Sequence, residues 1–437
     1  MLPKGQGNTL AVVATNESET LQSPPVTVDI GVPAELSVPD VHLHVLCVGV
    51  SDYAGEAGDL EAPAGDARAL AQAIGRVSQK LLPGKVDITT LTTTESERPT
   101  RKNILAWFDQ VARQAGSSDI ILAFFAGHGV SELGSQRGYF FLTSEADPGD
   151  VTAASAGTTT ISADDLRQKL AAIPANKQVV ILDTCHSGAA AGDLLAADRS
   201  VSGDYQRAWE SIKDTTGTWL LAGAASDQKS YESGNVEHGM LTYSLLEALD
   251  KANPDGLRQG SANDELFVDV ERWLSYAANR VESLKNDVGI RGIQRPEFKR
   301  SKSSQSFDLG VVDPSFRGSL GLKQPKPIVI VGSFQQEEED PAGLEKAVDA
   351  SMRESAAIKP WFDIAKHPNV FRTSGSYTLS GKEIKLKLFV QKFDAQQNRK
   401  TLTTIELNGT TDNLAELARQ VRLAVEKAVG EAAKTQE

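Results

Sequence analysis

Val179-Val180-Ile181-Leu182-Asp183-Thr184-Cys185-His186-Ser187-Gly188 decides how this chain is read. Four apolar residues in succession read as a strand buried on both faces, the pattern of a parallel sheet. The small and polar residues that follow cannot prolong such a strand, so Cys185 is expected where the strand opens into a loop. In open α/β sheets ligands bind at that carboxyl edge. Upstream, Asp119-Ile120-Ile121-Leu122-Ala123-Phe124-Phe125-Ala126-Gly127-His128-Gly129 repeats the design. It ends in a histidine between glycines. One strand end carrying Cys and another carrying His suggest a thiol nucleophile and its base.

The pattern around these strands alternates. Leu43 to Val50 is an apolar strand, and Asp66 to Val77 sets Ala67, Leu70, Ile74 and Val77 on one helical face. A strand follows at Val86 to Leu91, then a helix over 101–115 with Ile104, Leu105, Phe108, Val111 and Ala112 on its stripe. Beyond the His128 strand come a strand at Tyr139–Leu142, a helix near 163–172, the Cys185 strand, a strand at Thr218–Ala222 and helices near 239–250 and 264–284. Strands separated by helices imply an α/β fold with a mostly parallel sheet covered on both faces. Residues 1–40 hold two strand-like stretches broken by prolines, an N-terminal β segment or arm too short for a core of its own. Residues 285–326 read as irregular covering loops, of which 311–326 form a linker. Residues 327–437 read as a small C-terminal α+β domain, with strands near 328–331, 375–380, 383–393 and 400–407 and helices over 341–356 and from Leu414.

Bulk properties narrow the function. The chain has 437 residues, enough for two or three domains. Its net charge of -13 argues against general nucleic-acid binding, which needs a basic face. Lys299-Arg300-Ser301-Lys302 is read as a solvated loop. Two cysteines, Cys47 and Cys185, leave no disulfide framework and suit a reducing compartment. No apolar run approaches a membrane span, and cytoplasmic location is the expectation.

A lone cysteine is most often a small buried hydrophobe. Cys47, inside Val45-Leu46-Cys47-Val48, fits that ordinary fate; Cys185, among Asp, Thr, His and Ser, does not. For His128 the ordinary alternative is a core or capping histidine, which its flanking glycines make the weaker reading. His186 adjoins Cys185, but adjacent side chains on extended backbone point apart, so it is read as structural or as a pocket edge.

These segments carry a family resemblance. Phe125-Ala126-Gly127-His128-Gly129 and Asp183-Thr184-Cys185-His186-Ser187-Gly188 resemble the His and Cys motifs of caspase-like cysteine peptidases, nearest to the metacaspase and bacterial branch. Val48 to Tyr53, Leu60 to Asp66 and His238-Gly239-Met240-Leu241-Thr242 extend the likeness, which covers about residues 41–310. It implies a caspase-like three-layer sandwich for that domain. It implies Cys185 as nucleophile, His128 as acid and base, and the N–H groups of Gly129 and Cys185 as oxyanion hole. Asp183 shares the nucleophile's strand face, and Asp66 occupies a second position resembling a metacaspase S1 aspartate. Together they would favour Arg or Lys at P1. Ala126 stands in that pocket where metacaspases often carry Ser. For Asp183 the alternative is a satisfied buried carboxylate tying down its own loop.

Asp164 and Asp165, with Asp147 and Asp193, resemble a calcium element; an acid-rich helix start is the simpler and preferred reading, so no cofactor is expected. The polar stretch 189–216 holds Arg199, Arg207 and Lys213, candidate self-cleavage positions that an ordinary surface loop would also explain. The expected function is a cysteine endopeptidase acting on protein substrates after basic residues and released by an upstream signal in a bacterial stress or defence pathway. The C-terminal domain would dock an activating or inhibitory partner, by analogy with envelope-protein modules such as that of TolB. A catalytically silent signalling scaffold of the same fold, or a caspase-like protease with another P1 preference, is the alternative.

Overall fold

The computed structural model describes residues 7–13, 23–31, 40–55, 58–133, 136–186, 218–223, 232–233, 236–260, 265–288, 294–300, 304–362, 370–393 and 398–434. Residues 1–41 cluster apart from 42–437. The first unit contains an antiparallel pair, β1 (Gly7–Val12) and β2 (Val26–Gly31).

The second unit is built around a mostly parallel sheet. Its elements in chain order are β3 (Leu43–Gly49), α1 (Pro63–Leu81), β4 (Val86–Thr92), α2 (Arg101–Gln114), β5 (Ile120–Leu133), β6 (Gln136–Leu142), α3 (Ala153–Thr159), β7 (Thr160–Ser162), α4 (Ala163–Ala172), β8 (Lys177–His186) and β9 (Trp219–Ala222). They continue with β10 (Glu232–Ser233), β11 (His238–Gly239), α5 (Met240–Asp250), β12 (Arg258–Gln259), β13 (Leu266–Asp269), α6 (Val270–Asp287), β14 (Glu297–Lys299) and β15 (Asp308–Val312). The sheet runs β14-β9-β8-β5-β3-β4, with β14 antiparallel and the other neighbours parallel. β6 pairs antiparallel with the far end of β5 and carries β7.

Strand alternation assigns the two faces. Leu46, Val48, Ile121, Ala123, Phe125, Val180, Leu182 and Leu220 join one core with Trp107, Phe108 and Val111 of α2 and Leu166 and Leu170 of α4. The alternate positions face the other way, toward α1, which packs on β3, β4 and β5 and against α5. Local signals set the helix starts. Pro63 opens α1, the Thr100 side chain accepts the Asn103 N–H at α2, and Ser162 and Asp165 cap α4 reciprocally. Gln178 at the start of β8 is buried and donates to the carbonyls of Leu170 and Ala175, tying the strand's entry to the end of α4.

Three expectations change. Residues 264–284 divide into a strand and a helix: Leu266 and Val268 are buried by pairing β13 with β12 and β15, and helical backbone begins only at Val270. The stretch 285–326 contains two strands, β14 and β15, where irregular loop was expected. Lys299 is therefore on the sheet's edge strand, and Arg300 stacks on Trp219 at 5.4 Å and pairs with Glu271.

Residues 327–437 add a five-stranded sheet with its own core. Its elements are β16 (Ile328–Gln335), α7 (Leu344–Arg353), β17 (Lys359–Trp361), β18 (Val370–Ser380), β19 (Glu383–Phe393), β20 (Arg399–Thr410) and α8 (Leu414–Lys434). The order is β17-β16-β18-β19-β20, parallel around β16 and antiparallel beyond β18. Val348 and Met352 of α7 and Val421 and Val425 of α8 pack with Phe334, Leu386 and Leu388. The short strand β17 carried no sequence signal, since Lys359-Pro360-Trp361 neither alternates nor runs apolar. Among the described residues no helix is long and apolar enough to cross a membrane.

Candidate functional site

β5 pairs with β8 from Ile120 to Gly129, and the register sets Ala126 opposite Asp183, Gly127 opposite Thr184, His128 opposite Cys185 and Gly129 opposite His186. The two strand ends singled out in the sequence thus meet directly. Gly129 also faces Phe141 of β6.

His128 is nearly buried. Its Nε2 lies 2.7 Å from the carbonyl oxygen of Gly58. A carbonyl has no proton to give, so Nε2 donates, and the neutral ring keeps its lone pair on Nδ1. The His128 backbone N–H donates to the Tyr53 hydroxyl at 2.7 Å, and the two rings lie 5.0 Å apart. Burial lowers the His128 pKa; the bond to Gly58 and the charge of Asp59 oppose that partly. The ring is therefore held neutral, as a base must be. Gly127 adopts φ +148°, and a side chain there would come within 2.7 Å of the Tyr53 oxygen. The segment bearing Tyr53 and Gly58 is itself fixed: Tyr53 N–H donates to Asp59, Ala54 N–H to Ala146 O and Leu60 N–H to Ser51 O.

Beside this pair two buried carboxylates converge. Asp66, in the first turn of α1, accepts from the Gly239 N–H at 3.1 Å and lies 2.6 Å from His238 Nδ1. Asp183 accepts from the Thr242 N–H at 3.0 Å and the Thr242 hydroxyl at 2.7 Å. Gly239 sits between them. A Cβ on it would lie 2.7 Å from Asp183 Oδ2 and 3.1 Å from Asp66 Oδ2, which places those oxygens within about 6 Å of each other. Burial raises the Asp66 pKa to about 6; His238 pulls it down and Asp183 pushes it up. Ala126, opposite Asp183, is buried and offers no hydroxyl. A cavity of about 760 Å³ lined by Arg76, Ile88 and Phe316 lies apart from all these groups.

The remaining candidates are placed elsewhere. Asp165 caps α4 and is gripped by Arg101 through two bonds of 2.7 Å, while Asp164 faces Arg167 on the exposed side. Asp147 accepts from the Gly149 N–H in its own turn. Among the described residues no group of three or more His, Cys, Asp or Glu could hold a metal ion. Asp193, Arg199, Arg207 and Lys213 lie outside the described residues. Four groups escaped the sequence reading. Tyr53, His238 and Thr242 stand inside segments that had been noticed, but no periodicity says that a side chain distant in sequence will reach them. Gly58 contributes a backbone oxygen, which no residue pattern reports.

A search of curated proteins finds no match. The crystal structure of protein GSU0716 from Geobacter sulfurreducens is similar at 18% identity and a TM-score of 0.40, covering 65% of this chain and 97% of that one. The crystal structure of TolB from Acinetobacter baumannii is similar over 24% of this chain and 29% of that one, at 14% identity and a TM-score of 0.19. The model of the Peptidase C14 family, described as the caspase domain, matches residues 42–308. That span holds β3 to β14, the β5–β8 register and both carboxylates, and it makes this chain a member of the caspase-domain family.

Proposed function

We propose that this protein is a cysteine endopeptidase that cuts after Arg or Lys. The observation that carries the proposal is the convergence of Asp66 and Asp183 at Gly239, with Asp183 two residues along β8 from the paired His128 and Cys185. In this reading the Cys185 thiol gives its proton to His128 and attacks the scissile carbonyl. The oxyanion is stabilised by the N–H groups of Gly129 and Cys185. The His128 imidazolium then returns a proton to the leaving amine, and water hydrolyses the acyl-enzyme with His128 again as base. The Gly58 carbonyl supports the base role by fixing the ring's tautomer. A basic P1 side chain would meet two carboxylates in a water-poor pocket, where charge-assisted bonds are strongest. An acidic P1 would be repelled there.

Processing at Arg199, Arg207 or Lys213 and a docking role for residues 327–437 belong to the same proposal. So does release by an upstream signal in a bacterial stress or defence pathway, which rests on the family resemblance alone. The test is a panel of fluorogenic peptides with Arg, Lys or Asp at P1, assayed with and without calcium beside Cys185→Ala. Cleavage of the Arg and Lys peptides by the parent protein alone is expected. Cleavage after Asp, or equal rates from Cys185→Ala, would contradict it.

A further inference from the structure

His238 is not needed by the chemistry above, yet it bonds one of the two pocket carboxylates directly. Its Nδ1 is 2.6 Å from Asp66 Oδ1, and only 17% of its side chain is exposed. Two like charges within about 6 Å in a desolvated site cannot both persist unless something offsets them. Asp183 is offset by the Thr242 N–H and hydroxyl, two dipoles at the start of α5. Asp66 has one backbone N–H, from Gly239, and the His238 ring.

We propose that His238 is a positioning residue for P1 specificity: its imidazole bonds Asp66, offsets the repulsion between the two carboxylates and orients them, so that both face a basic P1 side chain together. This deepens the basic-P1 reading and rests on it. From β8 comes Asp183, from β11 His238 itself, and from α5 the uncharged Thr242. Glu237, next to His238, is paired with Lys323 and adds no net charge. Arg68, two residues further along α1, is directed to the Thr94 hydroxyl instead. Burial and Asp183 hold the Asp66 carboxyl up, and His238 is the side chain that draws it down. Without the imidazole, Asp66 takes up its proton at higher pH and its half of the pocket loses its charge near neutrality.

The test separates this inference from the reading beneath it. Butylguanidinium, the arginine side chain without its backbone, is titrated calorimetrically into the full chain carrying Cys185→Ala, so no turnover is required. It is then titrated into the same protein with His238→Asn, which retains a donor near Nδ1 but cannot carry charge. The parent is expected to bind at pH 7. The His238→Asn protein should bind about tenfold more weakly at pH 7, corresponding to Asp66 titrating about one pH unit above neutrality, and should regain the parent's affinity by pH 9. Asp66→Asn should bind weakly at every pH, with no recovery. His238→Gln replaces His238→Asn should the latter fail to fold. Equal affinity of parent and variant across pH 6–9, or a loss that alkaline pH does not restore, overturns the role of His238 while leaving the basic pocket intact. No binding by the parent at any pH overturns the basic-P1 reading, and this inference with it.

Discussion

Asp183→Asn isolates the charge of the proposed pocket from its shape. The asparagine oxygen can take the place of Asp183 Oδ2, which accepts from the Thr242 N–H at 3.0 Å and its hydroxyl at 2.7 Å. The amide nitrogen then points toward Gly223, where Oδ1 now lies. Packing is conserved and the negative charge is gone. A hydrogen bond to a charged group contributes about 1.5–3 kcal/mol. Losing one carboxylate partner of a P1 guanidinium should therefore lower kcat/KM for an Arg peptide roughly 10- to 150-fold. Because the pocket grips the side chain in both ground and transition states, most of the loss should appear in KM. The assay is steady-state cleavage of matched Arg and neutral-P1 fluorogenic peptides, with thermal melting to confirm the fold. The neutral peptide should be nearly unaffected. An Arg-to-neutral preference unchanged in Asp183→Asn would refute the reasoning and return Asp183 to the role of a loop anchor.

Other outcomes follow from the same geometry. Gly239→Ala brings a methyl group within 2.7 and 3.1 Å of the two carboxylates, and should cost at least tenfold in kcat/KM for Arg peptides while leaving labelling of Cys185 by iodoacetamide intact. The Asp66 carboxyl is held up to about 6, so it loses its charge as pH falls through 6; KM for an Arg peptide should climb below that point. His128 is displaced in the opposite direction, so kcat should persist to lower pH than an unperturbed histidine would allow. A KM flat from pH 5 to 8 would contradict the assignment of Asp66. Arg101→Ala removes a bidentate, partly buried pair with Asp165 and should cost about 1–2 kcal/mol in urea denaturation, with no change in calcium response.

Much of the site could be read from the chain because its key side chains sit at ends of buried strands. The runs Ile120–Phe125 and Val179–Leu182 have few alternatives to a parallel core, and the candidate site residues stand where each run stops. The facing of His128 and Cys185 then follows from two adjacent strands in register. Asp66 and Asp183 could be named, but their approach depends on Gly239, a residue whose message is the absence of a side chain. The Gly58 carbonyl was invisible for a related reason: backbone atoms act here through position alone. Residues 264–284 misled because Leu266 stands four residues before Val270, as on a helical stripe, and two before Val268, as in a strand's alternation; only pairing with β15 decides between them. The edge strands β14 and β17 are three residues each, too short for any period to show.

The central claim is that Cys185 is a nucleophile presented beside a pocket for basic side chains. Covalent labelling tests it most directly. A peptidyl acyloxymethyl ketone with Arg at P1 is offered to the full chain in competition with its Asp counterpart, and the modified residue is located by peptide mass mapping. Cys47 is an internal control, since it is fully buried and burial pushes its thiol far up from its usual range. The account predicts Arg-probe modification of Cys185 alone, slowed at least a hundredfold by His128→Ala. Labelling by the Asp probe in preference, or labelling of Cys185 that ignores both P1 and His128, would contradict it.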